Sequence, residues 1–544
     1  MNFTSHSRSH SDARDRIEKN DVAAAGTQRV EAPLHRPAAS SFTITPDCRL
    51  DCETAERLAG PGSQLRFDGA AVAAMDRACH ALRVVLARGE PIYGITTGFG
   101  PFVRYESENG GDERHGSGLI DHLSAGFGRP APADVVRATM LIRALGLARG
   151  YSGIRPEIAQ GWLDLFNAEV IPAVPEYGSV GASGDLCPLS HIARVLIGDG
   201  RLIPLGHSEP KPAWPLLNQY GLSPLRLTGR DALALVNGTS FMTGYAAPAV
   251  AAADRLIRRT ETLVGWAHAT LGCRDQYLDS ALHDARSHGG QRDSARAIRV
   301  AARSLRPADI NTESASTRPL QEVYSLRCAP QFLGACRDHL GHARRLIETE
   351  IDGVSDNPVV VTGERDADHR VLHGGNFQGQ QIAFAADAVS GCLTELAVYA
   401  ERLLAALLDP SINDGAPLLL AWCAGPQSGL AGVQLTATSL VAEMRRQTQQ
   451  AATLSIPTNG NNQDVVSMGT TAARASYELV APASAVVSSV AMALVQLNYL
   501  RSAGRANGPV AATPTDVPTF AGVETDRPLH DDLGRMAEEM RRAV

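Results

Sequence analysis

The sequence predicts an all-α protein built as a bundle of long helices. Three observations carry that reading. Ala133 to Arg149, Gln380 to Leu408, Gly429 to Gln450 and Met468 to Ala503 carry apolar residues at helical spacing over long stretches. These stretches hold few charges, so each helix needs neighbours on most of its faces. No βαβ alternation and no internal repeat is visible, which argues against a parallel-sheet or solenoid architecture. With 544 residues, 44% of them hydrophobic, the chain has material for a large core. Weakly charged helices of this length favour a bundle completed by other subunits.

Along the chain, residues 1–40 are rich in Ser, Arg, Asp, Ala and His without an apolar period, and read as a disordered extension. Residues 41–240 form an N-terminal part interrupted by Gly-rich segments, and residues 241–544 form the central helical bundle and C-terminal part. Asp134 marks a helix start just before its apolar run. Leu479 to Leu500 is 22 residues without a charge, long enough to span a bilayer. Pro482, Ser484, Ser488, Ser489, Gln496 and Asn498 interrupt it, so a buried core helix is the expectation.

The net charge of −7 and the lack of a basic tract exclude nucleic acid as the expected partner. The nine cysteines are scattered and form no CxxC pair, so neither a disulfide framework nor a zinc ribbon is expected. No charged-then-apolar leader is seen at the N-terminus, and a reducing cytoplasm fits the cysteine usage.

Three Gly-rich segments punctuate the helices: Tyr93 to Gly100, Gly178 to Leu186, and His373 to Phe377. Gly permits backbone geometry and close approach that other residues do not. None fits a phosphate loop or a strand-GxGxxG-helix unit. Ser183 is followed directly by Gly184, so it is not in a GxSxG nucleophile elbow. His369 and His373 lack an accompanying HExxH, and no metal is expected there.

Ala182-Ser183-Gly184 carries another chemical possibility. In a tightly bent backbone the Gly184 amide nitrogen can attack the Ala182 carbonyl carbon. Loss of two waters then closes a five-membered ring and turns the Ser183 side chain into an exocyclic methylene, an electrophile ordinary side chains cannot supply. Small residues are required for that approach. By itself Ala-Ser-Gly is common and reads as a turn.

The surrounding motifs decide between these readings. The string Gly178 to His191 (GSVGASGDLCPLSH) resembles the cofactor loop of the methylidene-imidazolone ammonia-lyases and aminomutases, which act on His, Phe or Tyr. Tyr93 to Gly100 resembles the family's Tyr-Gly-x-x-Thr-Gly-Phe-Gly lid. Asn237 to Ser240, Tyr324 to Arg327, Ser355 to Pro358, His373 to Gln378 and Asn462 to Val465 match further blocks in the family's order, over roughly residues 43–540. The resemblance implies the elongated helical fold of the ammonia-lyases, which is fumarase/aspartase-like. It also implies a homotetramer whose active sites are assembled from three subunits. The cofactor implied is the self-derived ring at Ala182, Ser183 and Gly184, with no external cofactor or metal. The ligand implied is an aromatic amino acid, with neither nucleic acid nor membrane as a partner.

By the same resemblance Tyr93 is the general base that removes the weakly acidic β-hydrogen. Its phenolate, with an ordinary pKa near 10, needs nearby donors or positive charge. Arg327 is the carboxylate clamp, through its bidentate fork. Asn237 donates to the ring oxygen. Tyr324 joins the catalytic group, and Gly100, Leu186, Asn357, Phe377, Asn462 and Gln463 line the ring or the substrate.

Two positions speak to the substrate. His122-Leu123 resembles tyrosine-selective members, where phenylalanine-selective ones carry Phe-Leu. His122 can hydrogen-bond the phenol hydroxyl, and a site built for a hydroxyl rejects the analogue lacking it. Histidine-selective members carry a glutamate where this chain has Gln463. The expectation is deamination of L-tyrosine to trans-p-coumarate and ammonia, with some phenylalanine or dopa activity. A tyrosine 2,3-aminomutase and a histidine or phenylalanine lyase are the alternatives. The chain departs from the family at Arg114 to Leu119, where relatives carry a Gln-rich turn. Gly116 and Gly118 there are expected to loosen the lid.

Overall fold

The computed structural model describes residues 41–107, 112–204, 207–307 and 318–542, so the expectation for residues 1–40 lies outside the described residues. Its axis is helix Ser240–Leu271, buried along nearly all its length. It packs against helices Ala133–Ala148, Gly289–Leu305, Ala329–Ile351, Gln380–Leu408, Gly469–Glu478 and Val480–Ser502. An apolar helix with neighbours on every side is the arrangement that its low charge demands. Gly244 makes one of these contacts possible: a Cβ there would lie 2.4 Å from Thr139 Oγ1. The helix ends at Gly272, whose left-handed φ of 64° suits a residue without a Cβ.

The expected helices are present with small shifts at their ends. Gln380–Leu408 agrees residue for residue, and Ala133–Ala148 ends one residue early, with Arg149 as its C-cap. The helix expected over Gly429 to Gln450 is Ala431–Gln447. The single helix expected over Met468 to Ala503 is divided into Gly469–Glu478 and Val480–Ser502. Pro482 explains the break. It has no N–H for the Glu478 carbonyl, and its ring crowds that carbonyl.

Two long helical stretches, Gln380–Leu408 and Gly469–Ser502, are apolar enough by length and composition to cross a membrane, yet 67% and 72% of their apolar windows are buried within the protein. Polar residues of the second hold the C-terminal loops. Gln496 donates to the carbonyls of Leu420 and Val523 and accepts the Val523 N–H. Asn498 exchanges two hydrogen bonds with Ala511. These side chains are the internal partners of irregular backbone, and buried backbone must be paired.

Strands are short and peripheral. Ser41–Ile44 and Gln64–Phe67 pair in parallel across helix Cys52–Ala59, a small βαβ unit that the sequence reading did not anticipate. Four-residue strands give too little alternation to read. Hairpin Val359–Val361 with Arg370–Leu372 lies against helix Gly69–Ala87, which leads into the Tyr93 segment.

Gln496→Leu preserves bulk but removes the partners of one buried N–H and two carbonyls. At about 1–3 kcal/mol for each unsatisfied group, we expect a clearly lower melting temperature in calorimetry. An unchanged melting temperature would remove Gln496 as the anchor of the 511–523 loop.

Candidate active site

The Gly178 to Asp185 loop is folded back on itself and seated on the start of the central helix. Gly181 and Gly184 take left-handed φ values of 68° and 70°. Gly184 lies directly on Gly238. The Asp185 N–H donates to the Gly238 carbonyl at 2.7 Å, and a Cβ on Gly184 would fall 2.1 Å from that oxygen. The loop is pinned from the other side as well. Met468 N–H donates to the Val180 carbonyl at 2.9 Å, and Ser467 Oγ donates to the Gly181 carbonyl at 3.0 Å.

Asp185 is the buried anchor. It precedes helix Leu186–Leu196 but makes no side-chain cap to it. Its carboxylate instead accepts the N–H groups of Phe241 and Met242 at 3.0 and 2.8 Å, in the first turn of the central helix. Ser179 and Thr470 hydroxyls donate to its other oxygen. The helix N-terminus favours negative charge. Complete burial outweighs these donors and pushes the Asp185 pKa up to about 6.

Above the loop lies a cavity of about 680 Å³. Of the residues singled out from sequence, Tyr93, Gly100, His122, Leu123, Ala182, Ser183, Gly184, Leu186, Asn237 and Gln463 line it. Asn237 Nδ2 donates to the Ser183 carbonyl at 3.0 Å, and Gln463 Nε2 donates to Ser183 Oγ at 2.6 Å. Asn237 Oδ1 is buried without a hydrogen-bond partner among the described residues. The bent backbone, the glycine contact and the donor on the Ser183 carbonyl suit ring closure at Ala182-Ser183-Gly184.

Tyr93 is held by its own lid. Its hydroxyl accepts the Gly100 N–H at 2.7 Å, while burial raises the phenol pKa. Its ring meets Phe99 edge-on at 6.3 Å, and Phe99 stacks on His115 at 4.4 Å. Gly116 is buried in helix Glu113–Leu123, where a Cβ would sit 2.4 Å from the Leu227 carbonyl oxygen. This glycine lets the helix lie against the 227–228 backbone, so the local effect at Gly116 is close packing rather than loosening.

His122 Nδ1 lies 2.9 Å from the Gly118 carbonyl. A carbonyl only accepts, so Nδ1 carries the proton and Nε2 keeps the lone pair in the neutral ring. The free nitrogen is therefore an acceptor, the complement of a phenol O–H.

The remaining candidates lie outside this cavity. Arg327 donates from Nε to the Glu322 carbonyl at 3.2 Å and sits over the Tyr324 ring at 5.0 Å. Tyr324 is 65% exposed and lines a second cavity of about 410 Å³ with Tyr399. Asn357 is buried and accepts the Gly374 N–H at 2.9 Å. Phe377 is half-buried, and exposed Asn462 donates to the Asn459 carbonyl at 3.2 Å. His369 and His373 serve different partners: His369 Nδ1 accepts the Gly363 N–H and His373 Nε2 accepts the Tyr93 N–H. Among the described residues no Asp, Glu, Lys or Arg lines the Tyr93 cavity.

A sequence profile described as aromatic amino acid lyase matches residues 50–516. The chain belongs to the aromatic amino acid lyase family. Within the family it is 38% identical to a tyrosine ammonia-lyase of Cereibacter sphaeroides, over 91% of this chain and 96% of that one. It is 35% identical to a histidine ammonia-lyase of Gloeobacter violaceus, over 92% and 96%. The crystal structure of a tyrosine aminomutase from Streptomyces globisporus superposes with a TM-score of 0.82 at 31% identity, covering 92% of this chain and 97% of that one. The expected helical ammonia-lyase fold is thereby established, and membership implies the methylidene-imidazolone group.

Asp185 lies within the cofactor-loop string, where the sequence does not reveal its anchoring part. An Asp just before an apolar helix signals an N-cap, but the helix it serves begins 55 residues later. Folded and unfolded states differ in its affinity for a proton. Its folded pKa of about 6 lies above the ordinary 3.8, so its ionisation opposes folding as pH rises through that interval. Relative to Asp185→Asn, the native protein should lose about 2 kcal/mol of stability between pH 4 and pH 6. Parallel denaturation curves for the two across that range would contradict the burial argument.

Proposed function

We propose that the chain deaminates L-tyrosine to trans-p-coumarate and ammonia, with lesser activity on phenylalanine and dopa. The observation that carries the reading is the single cavity in which Tyr93, Ser183 and His122 meet. The methylidene-imidazolone formed from Ala182, Ser183 and Gly184 supplies an electrophilic methylene that converts the substrate amine into a better leaving group.

The chain's own residues do the rest. Asn237 holds the Ser183 carbonyl oxygen and stabilises charge that develops there. Tyr93 removes the β-proton as phenolate. Burial disfavours that form, and the Gly100 N–H opposes the effect. Gln463 sits on Ser183 Oγ, on the side where the substrate amine enters. Leu123 and Leu186 give the aromatic ring apolar walls, and His122 Nε2 accepts the phenol proton. Gly100 closes the lid over the substrate.

A cavity lined by no formally charged side chain among the described residues cannot balance an amino-acid carboxylate. Arg327 lies elsewhere on the chain, with Tyr324 beside it. We therefore assign the carboxylate clamp to Arg327, with Tyr324, of another copy in a homotetramer with shared sites. Phe377, Asn357 and Asn462 complete the surroundings in that assembly. Residues 41–240 are the lid and cofactor part, residues 241–544 the assembling bundle, and the protein works in the cytoplasm.

The test is a panel of tyrosine, phenylalanine, dopa and histidine followed by ultraviolet absorbance, with chromatography for β-tyrosine. We expect p-coumarate as the main product. We also expect His122→Phe to shift the kcat/KM ratio of tyrosine to phenylalanine by roughly 100-fold or more toward phenylalanine. Urocanate from histidine, or β-tyrosine as the main product, would replace this reading with the histidine-lyase or aminomutase one.

A further inference from the structure

Among the described residues Tyr93 makes two hydrogen bonds, one of them, to Gly100, within its own lid. The second is His373, 280 positions away in the chain, whose Nε2 accepts the Tyr93 N–H at 3.1 Å. An imidazole nitrogen that accepts must hold its lone pair, so His373 is neutral with its proton on Nδ1. Its side chain is exposed, and partial desolvation lowers its pKa.

His373 stands on a firm post. It follows strand Arg370–Leu372, and the next residue, Gly374, donates its N–H to Asn357 Oδ1 at 2.9 Å. The strand's hairpin is tied to the helix that leads into the lid. Arg88 Nη1 donates to the His369 carbonyl at 3.0 Å and Nη2 donates to the Asp366 carbonyl. His80 on the same helix lies 3.1 Å from Asp366 Oδ1. The Val360 N–H donates to the Tyr151 carbonyl at 2.8 Å, joining the hairpin to the body.

From this geometry we propose that His373 is a positioning residue for Tyr93, its neutral imidazole latching the backbone of the lid base to the hairpin post. The inference rests on Tyr93 being the base. A phenol held only by the Gly100 N–H would move with its lid, whereas the second anchor fixes the lid's entry point against the body. Displacement of a base by about 1 Å can cost on the order of 100-fold in rate.

The experiment compares His373→Leu, His373→Ala and His373→Gln with the native enzyme, alongside Tyr93→Phe, using tyrosine and β-dideuterated tyrosine. Leu and Ala remove the acceptor, whereas the Gln carbonyl oxygen restores one at similar reach. We expect the first two to lower kcat by roughly 10- to 100-fold with KM changed only a few-fold. The deuterium effect on kcat should grow, because proton removal becomes slower relative to later steps. The Gln variant should recover most of the lost rate. Equal losses in all three His373 variants, or a loss confined to KM, would overturn the latch. If His373→Leu and His373→Ala match the native enzyme while Tyr93→Phe is inactive, the latch alone is wrong. If Tyr93→Phe stays active, the reading of Tyr93 as base fails and the latch with it.

Discussion

Everything at the site depends on one backbone contact, Gly184 lying on Gly238. Gly184 approaches Gly238 so closely that a Cβ on it would fall 2.1 Å from the Gly238 oxygen, and a Cβ on Gly238 would separately meet Arg143 Nη1 at 2.5 Å. Gly238 sits two residues ahead of the central helix, and Asp185 binds that helix through the N–H groups of Phe241 and Met242. The loop therefore inherits the rigidity of a long helix buried along nearly all its length. A reactive backbone has to be held in a bent form that the unfolded chain rarely visits, and only a scaffold packed on all sides can supply that constraint.

This contact also sets the electrostatic character of the site. The negative charge on Asp185 is placed behind the loop, balanced by helix N–H groups and hydroxyls. The cavity face is left with donors to Ser183, a phenol, a histidine and apolar walls. Under the proposed function, charge for the substrate carboxylate comes from another copy. Assembly and activity would then be inseparable, while the lid, the cofactor loop and the walls of the cavity stay within a single copy. His373 belongs to that control.

Much of this was legible in the sequence, for physical reasons. Long apolar segments give helices because their burial pattern is local, and Gln380–Leu408 needed nothing else. The cofactor loop and lid were legible as contiguous strings. What the sequence did not reveal rests on partners distant in the chain. The Asp185 carboxylate serves a helix begun by Ser240, the Tyr93 N–H is received by His373, and Gly116 gives way to the carbonyl of Leu227. Pro482 divides the helix expected over Met468 to Ala503, a break that the apolar period running across it conceals. Tyr324 and Arg327 were found by motif, yet they stand outside the cavity of their own chain.

Catalysis as proposed requires the Ala182-Ser183-Gly184 backbone to convert itself into the electrophile. The intact mass of the purified protein, set beside that of Ser183→Ala, tests it most directly. The native chain should be lighter than its sequence by two waters, and the Ser183→Ala chain should carry its full expected mass. A native chain of full, unmodified mass would contradict it.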